Sequence, residues 1–122
     1  MHVLLVGVGG FVGAALRYAL SSFVHARYAG AFPAGTLLVN VLGCFLAGAL
    51  WTLVEERELL SEGARLLVGV GLLGSLTTFS AFSQETFALL RDGELRFALL
   101  SVGANLAVGL LAVALGHTLA RS

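Results

Sequence analysis

The tract from Gly69 to Glu85 holds the residues best able to do chemistry. It reads Gly69-Val70-Gly71-Leu72-Leu73-Gly74-Ser75-Leu76-Thr77-Thr78-Phe79-Ser80-Ala81-Phe82-Ser83-Gln84-Glu85. Three glycines precede a cluster of hydroxyls within an otherwise apolar stretch. Glycine and Ser/Thr weaken a helix, and Ser/Thr can satisfy backbone groups that a break sets free. A break at Gly74–Thr78 would release carbonyl oxygens, a ligand type that replaces the hydration shell of an alkali cation. Phe79 and Phe82 follow at once, three apart and so on one helix face. The edge of a phenyl ring is positive and can meet an anion without trapping it strongly. The competing reading of two such phenylalanines is lipid or packing contact.

Other polar residues fall into stripes with helical spacing. Gly9, Gly13 and Arg17 form one, Thr36, Asn40 and Cys44 a second, and Ser101, Asn105 and Gly109 a third. Polar groups at membrane depth are costly unless satisfied, so each is a functional candidate. An amide such as Asn40 or Asn105 needs partners on both its ends. Packing through small residues is the alternative for the glycines. Arg17 has two readings. It snorkels to the far interface, or it faces a wet vestibule or pairs with backbone carbonyls, where it would attract anions. No Asp or Glu lies deep in any apolar run, which argues against a permeant cation handled by carboxylates.

The elements that must position these residues are membrane helices. The chain has 122 residues, 58% apolar and 11% charged, with seven positive and seven negative side chains. A soluble domain carries about 25% charge. A soluble enzyme, a nucleic-acid binder and a disordered tail are all poor fits, and no basic run offers a phosphate-backbone footprint. One cysteine, Cys44, allows no intrachain disulfide and no cysteine metal cluster. A helical span needs about 20 mainly apolar residues. Four are expected, at approximately 3–24, 34–54, 66–89 and 97–119, in a single all-α membrane domain over 1–122. The runs are too continuously apolar for barrel strands. The first is not expected to be a signal peptide, because it lacks a basic start and three equal spans follow. Glu55–Gly63 reads as a solvated or interfacial turn.

Orientation follows the Lys/Arg difference between the two sides. Arg57, Arg65 and Arg121 fall on the side of the N-terminus, middle connection and C-terminus. Arg27, Arg91 and Arg96 fall on the other. Neither side wins, so insertion both ways and an antiparallel homodimer are expected. Four short helices can hardly enclose a hydrophilic route alone, which also points to an oligomer.

Three segments carry a resemblance. They are Gly9-Gly10-Phe11-Val12-Gly13-Ala14-Ala15-Leu16-Arg17-Tyr18, then Gly35-Thr36-Leu37-Leu38-Val39-Asn40-Val41-Leu42-Gly43-Cys44-Phe45-Leu46-Ala47-Gly48, then Gly71–Glu85. In this order and spacing they resemble the CrcB/Fluc family of small fluoride channels, over nearly the whole chain. The resemblance implies an antiparallel dual-topology homodimer in the bacterial inner membrane. It would have two fluoride pathways and a central structural Na⁺. That ion would be held by main-chain carbonyls of Gly74 and Thr77 from both subunits. Phe79 and Phe82 would line the fluoride path with Asn40, and Arg17 would stand near a vestibule. Thr78, Ser80 and the fourth-helix position Asn105 would belong to a polar track. The fourth helix departs from the pattern, with Asn105 and Gly109 where a hydroxyl is expected at one or both. Glu85 matches an acid near the pore mouth, or is an interfacial helix end.

The physics agrees with that reading. Fluoride holds its water tightly, so a path must replace it with amides, hydroxyls and ring edges. A fixed cation nearby lowers the cost of an anion at mid-membrane. No catalysis is expected. A small multidrug-type exporter would need a carboxylate in the first span, and Met1–Val24 has none. A non-transporting membrane subunit would leave the Gly/Thr/Phe cluster unexplained.

Overall fold

In lipid every backbone polar group must be satisfied within the protein, which leaves helices as the economical choice for an apolar chain. The computed structural model describes residues 1–28 and 30–122, and there the chain is all-helical. Helix α1 spans His2–Arg27 and α2 spans Ala34–Trp51, continued by a π-helical turn at Thr52–Glu56. The third span is composite. It runs through α3 (Glu62–Ala64), a π-helical stretch Arg65–Leu73 and α4 (Gly74–Leu76), then resumes after a break as α5 (Phe79–Arg91). Helix α6 spans Leu95–Arg121. Four spans result, each long and apolar enough to cross a membrane: His2–Arg27, Ala34–Glu56, Glu62–Arg91 and Leu95–Arg121.

Local chemistry sets the boundaries. The Ser61 hydroxyl caps α3 by accepting from the Ala64 N–H at 3.2 Å. Gly93 adopts φ +78° after α5, a conformation that suits glycine, and the Gly93 and Glu94 N–H groups close on the Leu90 and Leu89 carbonyls. This tight reversal turns the chain directly into α6.

Backbone contact through glycine holds the spans together. Gly9 and Gly13 of α1 lie against the Leu67 and Leu72 carbonyls of the π-stretch, where a Cβ would collide. Gly48 of α2 lies against the Val113 carbonyl of α6, and Gly116 of α6 against the Phe45 carbonyl. Close approach of small residues is how helices associate where lipid removes the usual hydrophobic drive. The dry core is correspondingly small: Val39, Leu73 and Leu76, with Leu20, Leu50, Val68 and Leu72 around them. Most large apolar side chains point outward, as lipid contact requires.

Polar contacts define the two ends. The buried Thr52 hydroxyl lies 3.0 Å from the Gly48 carbonyl and 2.6 Å from His117 Nδ1. Glu56 stands 3.6 Å from His117 and 3.4 Å from Arg121, and Arg57 donates to the Ala120 carbonyl at 3.0 Å. The middle connection and the C-terminus therefore share one end. At the other, Phe32 and Phe97 meet edge to face, with centroids 6.3 Å apart.

Candidate functional site

The break falls at Thr77 (φ −83°, ψ 153°) and Thr78 (φ −150°, ψ 115°), two consecutive extended residues at the C-terminal edge of the expected Gly74–Thr78 window. Side chains replace the helical bonds lost there. The Thr78 N–H donates to Asn40 Oδ1 at 2.8 Å, and Asn40 Nδ2 donates back to the Thr78 carbonyl at 3.2 Å. One amide of α2 thus pairs with both backbone groups of Thr78, as a neighbouring strand would. The Thr78 hydroxyl accepts from the Ala81 N–H at 3.1 Å and starts α5. Ser80 Oγ lies 3.3 Å from the same hydroxyl. Gly43 leaves the room that the Thr77 methyl fills.

The break leaves the carbonyls of Gly74, Ser75, Leu76 and Thr77 without the donors a continuous helix would give them, and side chains account for two of these losses. The Thr78 N–H would close a turn on the Gly74 carbonyl but is bonded to Asn40. The Ala81 N–H would close one on the Thr77 carbonyl but is bonded to the Thr78 hydroxyl. Gly74 and Thr77, which the family resemblance nominates for Na⁺, are among the carbonyls so freed, whereas that of Ser75 accepts from Arg17. Neutral backbone oxygens released from a helix suit a desolvated alkali cation, so the donor set fits that ion.

A cavity of about 450 Å³ opens beside the break. It is lined by Asn40, Gly74, Thr77, Thr78, Phe79, Phe82 and Asn105, together with apolar residues of α2, α6 and the π-stretch and with Cys44. The Phe79 and Phe82 rings lie 5.7 Å apart at 53°. Phe79 is 78% exposed, with its ring at the edge of this largely apolar recess. Asn40 Nδ2 also donates to Asn105 Oδ1 at 3.1 Å, and Asn105 Nδ2 donates to the Ser101 carbonyl at 2.8 Å.

Three expected residues lie apart from this cavity. Arg17 does not reach freely for an interface: its Nε donates to the Ser75 carbonyl at 3.0 Å, just before the break. Glu85 accepts from the Thr36 hydroxyl at 2.6 Å, one helical turn before Asn40 on α2. Ser80 meets the cluster through the Thr78 hydroxyl. A main-chain carbonyl was among the expected partners of Arg17, and it is that of Ser75; the Ser101 carbonyl acceptor and the Thr52–His117–Glu56 contacts were not legible in the sequence. A threonine and a histidine inside apolar runs were the available signals for the last.

Comparison with known proteins agrees with this architecture. Residues 4–117 match the family model described as CrcB-like protein, Camphor Resistance (CrcB). A fluoride-specific ion channel FluC of Shewanella frigidimarina is 48% identical over 118 residues, covering 97% of this chain and 94% of that one. A protein of the same name from Clostridium perfringens is 42% identical, covering 97% and 92%. With four apolar spans, a helix broken between Thr77 and Phe79, and a family match over nearly all its length, the chain belongs to the CrcB-like family.

Proposed function

We propose that the protein is a multi-pass channel of the bacterial inner membrane that lets fluoride leave the cytoplasm passively. The observation that carries this reading is the cavity at the break. There two phenyl rings, an amide pair and threonine hydroxyls meet without any carboxylate among the lining residues. The names of its relatives support the choice of ion. A small anion needs close donors to replace its water, and ring edges supply attraction without a deep trap. Conduction needs sites that bind well enough to admit the ion and weakly enough to release it. Hydrogen fluoride enters cells at acid pH and ionises inside, so an open path suffices to return F⁻ down its gradient.

The working unit in this reading is an antiparallel homodimer. One chain offers the released carbonyls of Gly74 and Thr77 for the ion, and two copies would offer four. Na⁺ held there would supply positive charge near the anion route. The chain's own part is to keep those oxygens from helical donors: Asn40 and the Thr78 hydroxyl take the N–H groups that would otherwise cover them. Three arginines lie at each end of the bundle, which favours insertion in both orientations.

The test is efflux from liposomes carrying the purified protein, read by a fluoride electrode and in parallel by a chloride electrode. Rapid fluoride release with little chloride release is the expected result. Equal release of both ions, or of neither, would overturn the reading.

A further inference from the structure

The amides of Asn40 and Asn105 have no freedom in which end faces which neighbour. The Thr78 N–H is a donor, so Asn40 must turn its Oδ1 toward it. Asn40 Nδ2 therefore faces the Thr78 carbonyl and Asn105. The Ser101 carbonyl is an acceptor, so Asn105 must turn Nδ2 toward it and Oδ1 toward Asn40. The result is a directed chain, Thr78 N–H to Asn40 to Asn105 to the Ser101 carbonyl. It links the broken span to α2 and α6. Bonds in such a chain polarise and reinforce one another.

The chain also fills the capacity of Asn40. A primary amide has two N–H donors. One goes to the Thr78 carbonyl and the other to Asn105 Oδ1, both within the protein. An anion that uses Asn40 must take one of them. The Thr78 bond is half of the clamp on the break, and losing it would loosen the extended backbone there. The Asn105 bond can be given up without opening that clamp, at the cost of leaving Asn105 Oδ1 without this donor, while its Nδ2 stays bonded to the Ser101 carbonyl.

We propose that Asn105 Oδ1 is a resident stand-in for the permeating anion, holding the Asn40 N–H until fluoride displaces it. This rests on the fluoride-channel reading and assigns Asn105 the tuning of anion affinity at that site. The resident acceptor is neutral and the arriving ion is charged. Bonds to charged acceptors are stronger, which favours a fluoride already stripped of water over the amide oxygen for that N–H. The competition weakens the net hold on fluoride and so quickens its release.

Replacing the acceptor tests this. Asn105→Ala and Asn105→Ser remove the side chain that reaches Asn40, and Asn105→Leu keeps its bulk without an acceptor. Each full-length variant is reconstituted, and flux is measured across a range of fluoride concentrations. Size-exclusion elution reports folding, and Asn105→Ser is the mildest change if the others misfold. The half-saturating fluoride concentration is expected to fall about tenfold in all three, the worth of one competing hydrogen bond. Maximal flux is expected to fall with it. Unchanged half-saturation with reduced flux makes Asn105 a structural brace and overturns the proposal. A shift in Asn105→Ala but not in Asn105→Leu assigns the effect to widening and also overturns it. Wild-type protein that passes no fluoride would instead overturn the channel reading.

Discussion

Arg17 Nε and the Ser75 carbonyl, 58 residues apart in sequence, lie 3.0 Å apart in space. The bond joins α1 to the last turn before the break, where helical carbonyls carry partial negative charge and a cation is favoured.

Arg17→Ala should therefore destabilise the fold as well as slow transport. A hydrogen bond involving a charged group contributes about 1.5–3 kcal/mol. Arg17→Lys keeps the charge but loses the fixed guanidinium fork. Thermal unfolding should rank wild type above the lysine variant and that above the alanine variant. If the charge also gathers anions, Arg17→Ala should lose most flux at low ionic strength, where screening is weakest. Equal melting of all three proteins would deny the Ser75 bond any structural weight.

The glycines separate by what surrounds them. Gly13 and Gly116 abut backbone carbonyls of a neighbouring span, whereas Gly7 and Gly103 have nothing within 4 Å of an added Cβ. Backbone cannot move aside as a side chain can. Gly13→Ala and Gly116→Ala should each reduce the yield of monodisperse protein on size exclusion. Gly7→Ala and Gly103→Ala should match wild type or melt slightly higher, since alanine favours a helix over glycine by about 1 kcal/mol. The same loss in all four would mean that close helix approach is not the cause.

The spans were legible because charge is excluded from lipid, so Arg27, Glu55, Arg65 and Arg91 frame the apolar runs, with Arg17 alone inside one. The break was legible because glycine and threonine gather at one depth. The π-stretch Arg65–Leu73 was not. It bonds i to i+5, and in a run of Leu, Val and Gly no polar face reveals the altered period. Its geometry accompanies backbone contact with Gly9 and Gly13, which lie more than 50 residues earlier. Likewise, the sequence marks Arg17 and Asn105 as polar but names no partner residue. The partners are main-chain carbonyls of Ser75 and Ser101, and every residue has one of those.

Orientation provides another test. Arg57, Arg65 and Arg121 oppose Arg27, Arg91 and Arg96, and the contacts of Arg57 with Ala120 and of Glu56 with Arg121 put the middle connection beside the C-terminus. Two or three lysines appended after Ser122 should tip the balance and fix one topology. Activity should then fall, and recover when an oppositely biased copy is co-expressed. Full activity from a single fixed orientation would eliminate the antiparallel dimer.

Phe79 and Phe82 pose the sharpest choice between packing and transport. The rings stand 5.7 Å apart, three residues apart on α5, and both border the cavity that Asn40 and Asn105 enter. If they only fill space, Phe79→Ile and Phe82→Ile should cost little transport, since apolar replacements of similar bulk are usually tolerated. Phe79 has little packing to lose in any case, being 78% exposed within one chain. If the ring edges carry the anion, each change should cut fluoride efflux at least about tenfold. That is the effect of losing about 1.4 kcal/mol of stabilisation along the path. The two should act separately, because residues three apart on a helix differ in depth by about 4.5 Å. Methionine at either position should restore part of the flux, since its polarisable thioether is a softer partner than isoleucine. Fluoride-electrode efflux decides the matter, with size-exclusion elution as the folding control. Wild-type efflux from both isoleucine variants would leave the rings as packing alone.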